Sequence, residues 1–457
     1  MSARFALRAL GILALLALAL ASSAVAQPAA NRQTTPGGLS FRYVHMPEDT
    51  HQALGFAWRD GSSIALPGKE ALSALAPALM MEGPKGLSRS AMIEDLRDLQ
   101  ASIALSASVN FVQGNVLAPA AKFSQAAEMM ARLLADPALP DRALQDAQRN
   151  RAAASQQAWQ SAESQAQRLF ARLVLGDGPY LRVMTAEPAS FARVTKADIE
   201  AWRRNILVRD GLEIVAVGPL DAAEIGREID RIFGSLPQSG AVPVIAKPVA
   251  RSSGKLVVLE RPVVQTIISA GAPTRIAITP DIVRSQMAVE VLGRGFNGRL
   301  LKAVRERLGA AYGISAVLQT VDATTRALFI HTPVANDKAK EALATIRSEY
   351  ARFVADGVTD EEVEPLKTAY ISRNHDLTRR GPALAGLILG LTLQNFPDDY
   401  LASYAAHVRA LDRAAINEDI RTKFPPPPLT FMMLAPSAEG LGADCVIRSP
   451  EEIARCE

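Results

Sequence analysis

The side chains able to do chemistry are few in this sequence, and the most suggestive pair is Arg305 and Tyr312. They stand seven residues apart in the segment RERLGAAY. A guanidinium and a phenol are hydrogen-bond donors, and one donor fixed on a developing oxyanion stabilises a transition state by roughly 3 kcal/mol. The spacing alone favours a solvated arginine and a packed tyrosine without a catalytic role. The role of this pair therefore depends on the elements that carry it.

The histidines do not form a recognisable metal motif. There are five of them, and no two stand four residues apart, the spacing that places two imidazoles on one helix face. His45 and His51 flank the segment MPEDT and could meet across a turn, but a pair of exposed loop histidines is the simpler interpretation. The sequence predicts no metal ion in this chain.

The two cysteines, Cys445 and Cys456, lie close to the C-terminus. In an oxidising compartment they could close a short loop and pin the C-terminal tail. Two free thiols are the alternative. Two cysteines are too few for a thiolate zinc site.

The segment EALSALAPALMMEG, residues 70–83, is predicted to be a helix that performs no chemistry. It is apolar with helical periodicity, and its two ionisable side chains, Glu70 and Glu82, stand near its ends. Pro77 interrupts it, and a proline inside a helix removes a backbone donor and kinks the chain. The pattern therefore favours a structural element.

The chain is predicted to repeat itself. RLLADPALPDRALQDAQRN begins at Arg132, and the similar RFVADGVTDEEVEPLKTAY begins at Arg352. The apolar strand LEIVAVGP begins at Leu212, and LTFMMLAP begins at Leu429. The two offsets, 220 and 217 residues, agree within three residues, which indicates tandem copies of one fold.

The expected fold is α+β, with two homologous domains. Residues 33–236 form the first and residues 255–437 the second, joined by a Pro- and Gly-containing linker at 237–254 and followed by a tail at 438–457. In each, an alternating strand, a set of helices and a closing strand predict a mainly antiparallel sheet with helices packed on one face.

The N-terminus has the pattern of a cleaved secretory signal. Arg4 and Arg8 precede the apolar run 10–20, and small residues end the segment at Ala26. A retained anchor is the alternative, but the apolar run is short. We therefore expect a periplasmic or secreted protein with no stable membrane anchor. Removing residues 1–26 changes the formal charge from +3 to 3 − 2 = +1, which gives no electrostatic basis for binding nucleic acid.

Five segments in order carry a family resemblance. They are DGSSIALPGKEALSALAPALMMEG, GDGPY at 176–180, IVAVGPLD, GRGFNGRLLKAVRERLGAAYGISA and GVTDEEVEPLK. Together with the duplication, they resemble the pitrilysin/insulinase superfamily of zinc peptidases, which includes the mitochondrial processing peptidase. The resemblance covers almost the whole mature chain and implies a clamshell of homologous α+β domains.

The sequence departs from this family at the metal motif. Active members carry H-x-x-E-H, in which two histidines bind zinc and the glutamate is the general base. Aligning the segments places Ala74 and Ala78 at the histidine positions and Pro77 at the glutamate position. The family's third ligand is a glutamate further along, yet no glutamate occurs between Glu128 and Glu163. The chain thus resembles the zinc-free subunit of a bacterial heterodimeric member.

The resemblance also implies a role for Arg305 and Tyr312. In active members, an arginine and a tyrosine at this spacing reach toward the metal and hold the substrate carbonyl. The expected partners are a zinc-bearing homologous subunit and an unfolded peptide that adds a strand to a sheet edge. No cofactor is expected in this chain, and zinc is expected in the partner. Two alternatives stay open: an inactive peptide-binding or scaffold protein, and an independent peptidase with a relocated metal.

Overall fold

The computed structural model describes residues 30–59, 68–178, 181–182, 186–241, 250–294, 297–321 and 325–457. The predicted signal segment, residues 242–249 of the predicted linker and the last two residues of GDGPY lie outside them. No helix among these described residues has the length and apolar character needed to span a bilayer.

The first half forms a six-stranded sheet in the order β1-β2-β6-β3-β5-β4. Only the β2–β6 pair among these strands is parallel. The elements of this half, in chain order, are β1 (Asn31–Thr34), β2 (Ser40–His45), β3 (His51–Arg59), α1 (Leu72–Met80), α2 (Arg89–Asp98), β4 (Ser102–Ala107), β5 (Phe111–Pro119), α3 (Phe123–Ala135), α4 (Asp141–Gln160), α5 (Ala162–Leu175), α6 (Pro188–Ala192), α7 (Lys196–Ile206), β6 (Leu212–Gly218) and α8 (Ala222–Phe233).

The second half forms another six-stranded sheet, in the order β12-β7-β11-β8-β10-β9. Here β7 pairs in parallel with β11 and β12, and the other pairs are antiparallel. Its elements are β7 (Leu256–Glu260), β8 (Gln265–Pro273), α9 (Ile282–Gly293), α10 (Arg299–Leu301) continuing as a π-helical turn (Lys302–Arg307), β9 (Ser315–Thr320), β10 (Arg326–Ala335), α11 (Ala339–Asp356), α12 (Asp360–Thr378), α13 (Gly381–Leu393), α14 (Tyr400–Ala410), α15 (Arg413–Lys423), β11 (Thr430–Ala435) and β12 (Cys445–Ile447).

The two sheets share one internal order. The order β2-β6-β3-β5-β4 in the first half corresponds to β7-β11-β8-β10-β9 in the second. The predicted α+β fold with two mainly antiparallel sheets is confirmed. Several helices begin where the sequence supplies a capping box, for example at Thr195, Asp221 and Thr359, because the side chain satisfies a free backbone N–H. The domain boundaries stay a prediction.

The sequence predicts helices on one face of each sheet, but in the structure helices cover both faces. The alternation in β3 and β8 predicts one buried face, yet the interior of both strands is buried on both faces. Helices of the same half cover one face of each sheet. The other face of the first sheet packs against α13 of the second half, and that of the second sheet packs against α5 of the first half.

The exchange of these two helices is reciprocal. Helix α5 begins at Ala162 and α13 at Gly381, an offset of 219 residues that matches the sequence repeat. Phe170 and Val174 of α5 pack with Val257 and Met432. The side chains of α13 pack in the same way on Ala53, Ala57, Val215 and Val217 of the first sheet. Each half therefore completes its own sheet with a helix from the other.

The predicted tail adds to the second sheet. Strand β12 pairs with β7, and a 3₁₀ helix, Pro450–Arg455, follows it. A disulfide joins Cys445 and Cys456, whose Cα atoms are 5.7 Å apart. The buried side chains of Ile453 and Cys456 pack in the same cluster as α5, so the end of the chain helps to cover the second sheet.

Candidate functional site

Helix α1 carries the positions of the degenerate metal motif. Ala74 and Ala78 are half-buried, whereas Pro77 and the rest of the helix are buried. Because residues four apart lie on one helix face, both alanines present their methyl groups to the same side. The side chains at these positions therefore lie together on one helix but offer no lone pair to a metal.

The residues present do not fit a zinc ion. Within the described ranges, no group of three or more His, Cys, Asp or Glu side chains could hold a metal. Helix α4 contains no glutamate that could act as a third ligand. His45 and His51 make local hydrogen bonds instead, His45 with the Pro219 carbonyl at 3.1 Å and His51 with the Thr50 hydroxyl at 2.9 Å. We therefore derive no metal-dependent step within this chain.

Arg305 and Tyr312 lie side by side on the surface of the second half. The guanidinium carbon of Arg305 is 5.1 Å from the centre of the Tyr312 ring, within the range of a cation–π contact. Tyr312 is 87% exposed, and Arg305 is exposed as well. Neighbouring Arg299 and Arg307 each pair with a glutamate, but no carboxylate among the described residues pairs with Arg305.

The backbone explains how the two side chains meet. The turn that carries Arg305 is π-helical, a geometry that recurs at functional sites. The turn ends at Arg307, and Gly309, whose φ of +62° is left-handed, donates its N–H to the Arg305 carbonyl at 3.1 Å. Tyr312 lies in the loop that precedes Ser315, the first residue of β9.

Two adjacent cavities open near the motif helix. One, of about 780 Å³, is polar and is lined by carboxylates and guanidiniums together, among them Arg182 and Glu187. The other, of about 670 Å³, is largely apolar and includes Ala74 in its lining. Trp159 and Arg168 line both cavities, so they form the wall between them. Sequence analysis missed these cavities because their walls come from segments far apart in the chain.

A polar contact also joins the halves beside these cavities. His331 of β10 bonds through Nε2 to Glu163 of α5 at 3.0 Å and through Nδ1 to the Ser269 hydroxyl at 3.2 Å. Ser269 is fully buried, which excludes it as an accessible nucleophile. Burial lowers the pKa of the His331 imidazole, and Glu163 acts in the opposite direction.

Fold and site together define a class: a duplicated α+β protein built like a metallopeptidase, with a motif helix that has no metal ligands. Residues 193–370 match the family model described as the Peptidase M16 inactive domain. The resemblance to the pitrilysin/insulinase superfamily is thereby confirmed, although the matched residues make up less than half of the chain.

Relatives and solved structures agree with this class. The non-peptidase homolog YmxG of Helicobacter pylori is 21% identical over 69% of this chain and 73% of its own length. The crystal structure of a peptidase M16 inactive domain from Pseudomonas fluorescens has a TM-score of 0.82 at 18% identity, covering 90% of this chain and 98% of that one. The structure of the periplasmic protease PqqL of Escherichia coli has a TM-score of 0.76 at 16% identity. The match covers 90% of this chain but only 46% of PqqL.

Proposed function

We propose that this protein is the zinc-free subunit of a heterodimeric zinc metallopeptidase. It helps to bind unfolded peptides and supplies Arg305 and Tyr312 to the catalytic site of a zinc-bearing homologous partner. There, the guanidinium and the phenol hydrogen-bond to the substrate carbonyl oxygen and to the negative charge that develops on it. Hydrolysis itself belongs to the partner.

The observation that carries this proposal is the exposure of a preformed donor pair. An unpaired surface arginine normally has many rotamers, and ordering it has an entropic cost. Contact with the Tyr312 ring restricts Arg305 before any substrate arrives. Both polar ends remain accessible to another chain, as a residue donated across a subunit interface must be.

The coverage of PqqL supports a two-subunit arrangement. That protein is described as a periplasmic protease, and this chain corresponds to less than half of it. A partner of similar size would supply the remainder as a separate chain. The signal-like N-terminus and the disulfide are consistent with function in the periplasm, since disulfides persist in oxidising compartments.

The free strand edges offer a way to bind peptide backbone. Strand β4 is the last strand of the first sheet, and β9 is the last strand of the second. An extended peptide that adds to such an edge is held mainly through main-chain hydrogen bonds. This mode suits unfolded substrates of varied sequence.

The test is cleavage of an unstructured peptide by this protein co-expressed with its zinc-bearing partner subunit. Replacing Arg305 by alanine, or Tyr312 by phenylalanine, should lower kcat about 10²–10³-fold, as expected for loss of an oxyanion donor. The Arg307→Ala variant is the matched control, because Arg307 lies on the same turn but pairs with Glu349. The isolated chain should not cleave the peptide. Unchanged kcat in the Arg305→Ala variant would remove this residue from the mechanism.

A second function, a peptide-binding or scaffold protein without any hydrolytic role, is favoured by the name non-peptidase homolog given to its relative. Size-exclusion chromatography with light scattering separates the two proposals. A zinc-free subunit should form a one-to-one complex with the homologous zinc peptidase of its source. A scaffold should instead bind peptide as a monomer or homodimer and form no complex with that peptidase.

A further inference from the structure

We infer that the apolar cavity beside α1 binds the C-terminal residue of a peptide, with its carboxylate on Arg168 and its apolar side chain between the two halves. This inference rests on the proposed binding of unfolded peptides and names the part of the peptide that is recognised.

The shape and lining of the cavity favour an apolar group. Its volume of about 670 Å³ lies within the range of small-molecule sites in proteins. Alanine, valine and phenylalanine side chains from both halves dominate the lining, including Phe170 of α5 and Phe329 of β10. Ala74 lies in the same lining, so the small side chain at the former ligand position leaves space that an imidazole would fill.

The charge of the cavity favours an anion. Arg151 and Arg168 are its ionisable lining residues, and no acidic side chain is found among the described ones. Arg168 stacks on Trp159, with the guanidinium carbon 3.3 Å from the ring centre, and its buried Nε has no hydrogen-bond partner. The carboxylates whose charges act on Arg168, Glu187 and Glu451, line the neighbouring polar cavity. No ion pair to Arg168 is found among the described residues, so its terminal guanidinium nitrogens have donor capacity left for a ligand in the cavity that Arg168 lines.

A carboxylate joined directly to an apolar group is the chemistry that both features require. In a polypeptide, this combination occurs at a C-terminal apolar residue, whereas aspartate and glutamate side chains bring no apolar group with their charge. The location agrees, because Gln319 of the edge strand β9 lines the cavity. Asn110, in the turn after β4, donates to the Val321 carbonyl at 3.1 Å, so the ends of both free edges meet here. Because the cavity lies at the C-terminal end of β9, a peptide that pairs in parallel with β9 would bring its last residue to the cavity.

The experiment compares fluorescein-labelled unstructured peptides in an anisotropy titration with the purified protein. One peptide ends in leucine with a free carboxylate, the second ends in leucine carboxamide, and the third ends in aspartate. The free acid ending in leucine should bind about tenfold more tightly than either of the others, because each lacks one of the two recognised groups. This comparison uses the unaltered protein and does not depend on the folding of any variant.

Two variants then assign the carboxylate to its partner. Arg168→Gln should reduce the affinity for the free acid to that for the carboxamide, whereas Arg182→Gln, which removes a guanidinium from the polar cavity alone, should preserve the difference. Equal binding of all three peptides would overturn the inference and leave peptide binding intact. Failure of every peptide to bind would overturn both. Dodecanoate that binds through Arg168 while no peptide does would reassign the cavity to fatty acids and overturn the peptide assignment.

Discussion

At the scale of single residues, Ala74 and Ala78 distinguish α1 from a metal-binding helix, because their methyl groups have no lone pair to offer. Both lie on the one face of α1 that is not fully buried, where the family motif places imidazoles. The neighbouring Pro77 is buried and lies inside the helix, so its ring contributes to packing at the position of the general base. The helix therefore has a structural role that requires no metal.

Restoring the motif alone should not restore a zinc site. The triple variant A74H/P77E/A78H would place two imidazoles on one face, but a catalytic zinc site uses three protein ligands, and α4 supplies no glutamate. We expect the purified variant to retain well under one zinc per chain after dialysis, as measured by elemental analysis alongside the unaltered protein. Retention of one zinc per chain would show that another residue completes the site.

His331 should make stability sensitive to acid. Burial holds the pKa of the folded imidazole below its ordinary value of 6.5. As the pH falls through 6.5, the unfolded chain binds a proton that the folded chain resists, so stability is lost toward the lowered folded pKa and is fully present above 6.5. The Tm of the protein should therefore decrease as the pH is lowered from about 7.5 to about 5.5. The Tm of the His331→Gln variant should decrease less over the same interval.

The control for this pH dependence is His375→Gln on α12, where the side chain is 48% exposed. Its Tm should follow the pH in the same way as that of the unaltered protein. If His331→Gln loses as much stability on acidification as the unaltered protein does, burial of the His331 imidazole has no part in the acid response.

At the scale of secondary-structure elements, the exchange of α5 and α13 is the feature that determines how the halves depend on each other. Apolar periodicity and turn residues predicted the repeat, because both arise from contacts close in sequence. The same patterns could not predict that β3 is buried on both faces, since the helix that covers its second face begins at Gly381, in the other half. The cavity lined by Ala74, Arg168 and Phe329 was missed for the same reason.

Leu384 tests this exchange directly. It belongs to the second half but is fully buried against the first sheet. Replacing it by alanine should destabilise the protein by about 2–5 kcal/mol, the usual cost of a large-to-small change in a core. All three tryptophans, Trp58, Trp159 and Trp202, lie in the first half, so their fluorescence during urea unfolding reports on that half.

The matched control for this substitution is Leu377→Ala on the preceding helix α12, where the leucine is 39% exposed. It should change the free energy of unfolding by no more than about 0.5 kcal/mol. If Leu384→Ala shifts the urea unfolding transition seen by tryptophan fluorescence no more than Leu377→Ala does, α13 does not stabilise the first sheet in solution.

At the scale of the whole molecule, the two halves are joined by the helices they exchange, whereas the sequence predicts only two tandem homologous domains. Each sheet buries one face against its own helices and the other against a borrowed helix. The disulfide-linked tail adds Ile453 to the contact between α5 and the second sheet. A clamshell built in this way transmits a disturbance in one half to the other through packed side chains.

The two halves produced as separate polypeptides, residues 30–241 and 250–457, should therefore fail to fold alone. Each would expose one apolar sheet face together with an unpartnered apolar helix, and contiguous apolar patches of this kind promote aggregation. Co-expressed, they should co-purify as a one-to-one complex, because each supplies the helix that the other lacks. Phe170→Asp in the first segment or Leu384→Asp in the second should abolish that complex, since burying an unpaired carboxylate is strongly unfavourable. A sharp, cooperative unfolding transition from either segment as an isolated monomer would show that the exchanged helices are dispensable.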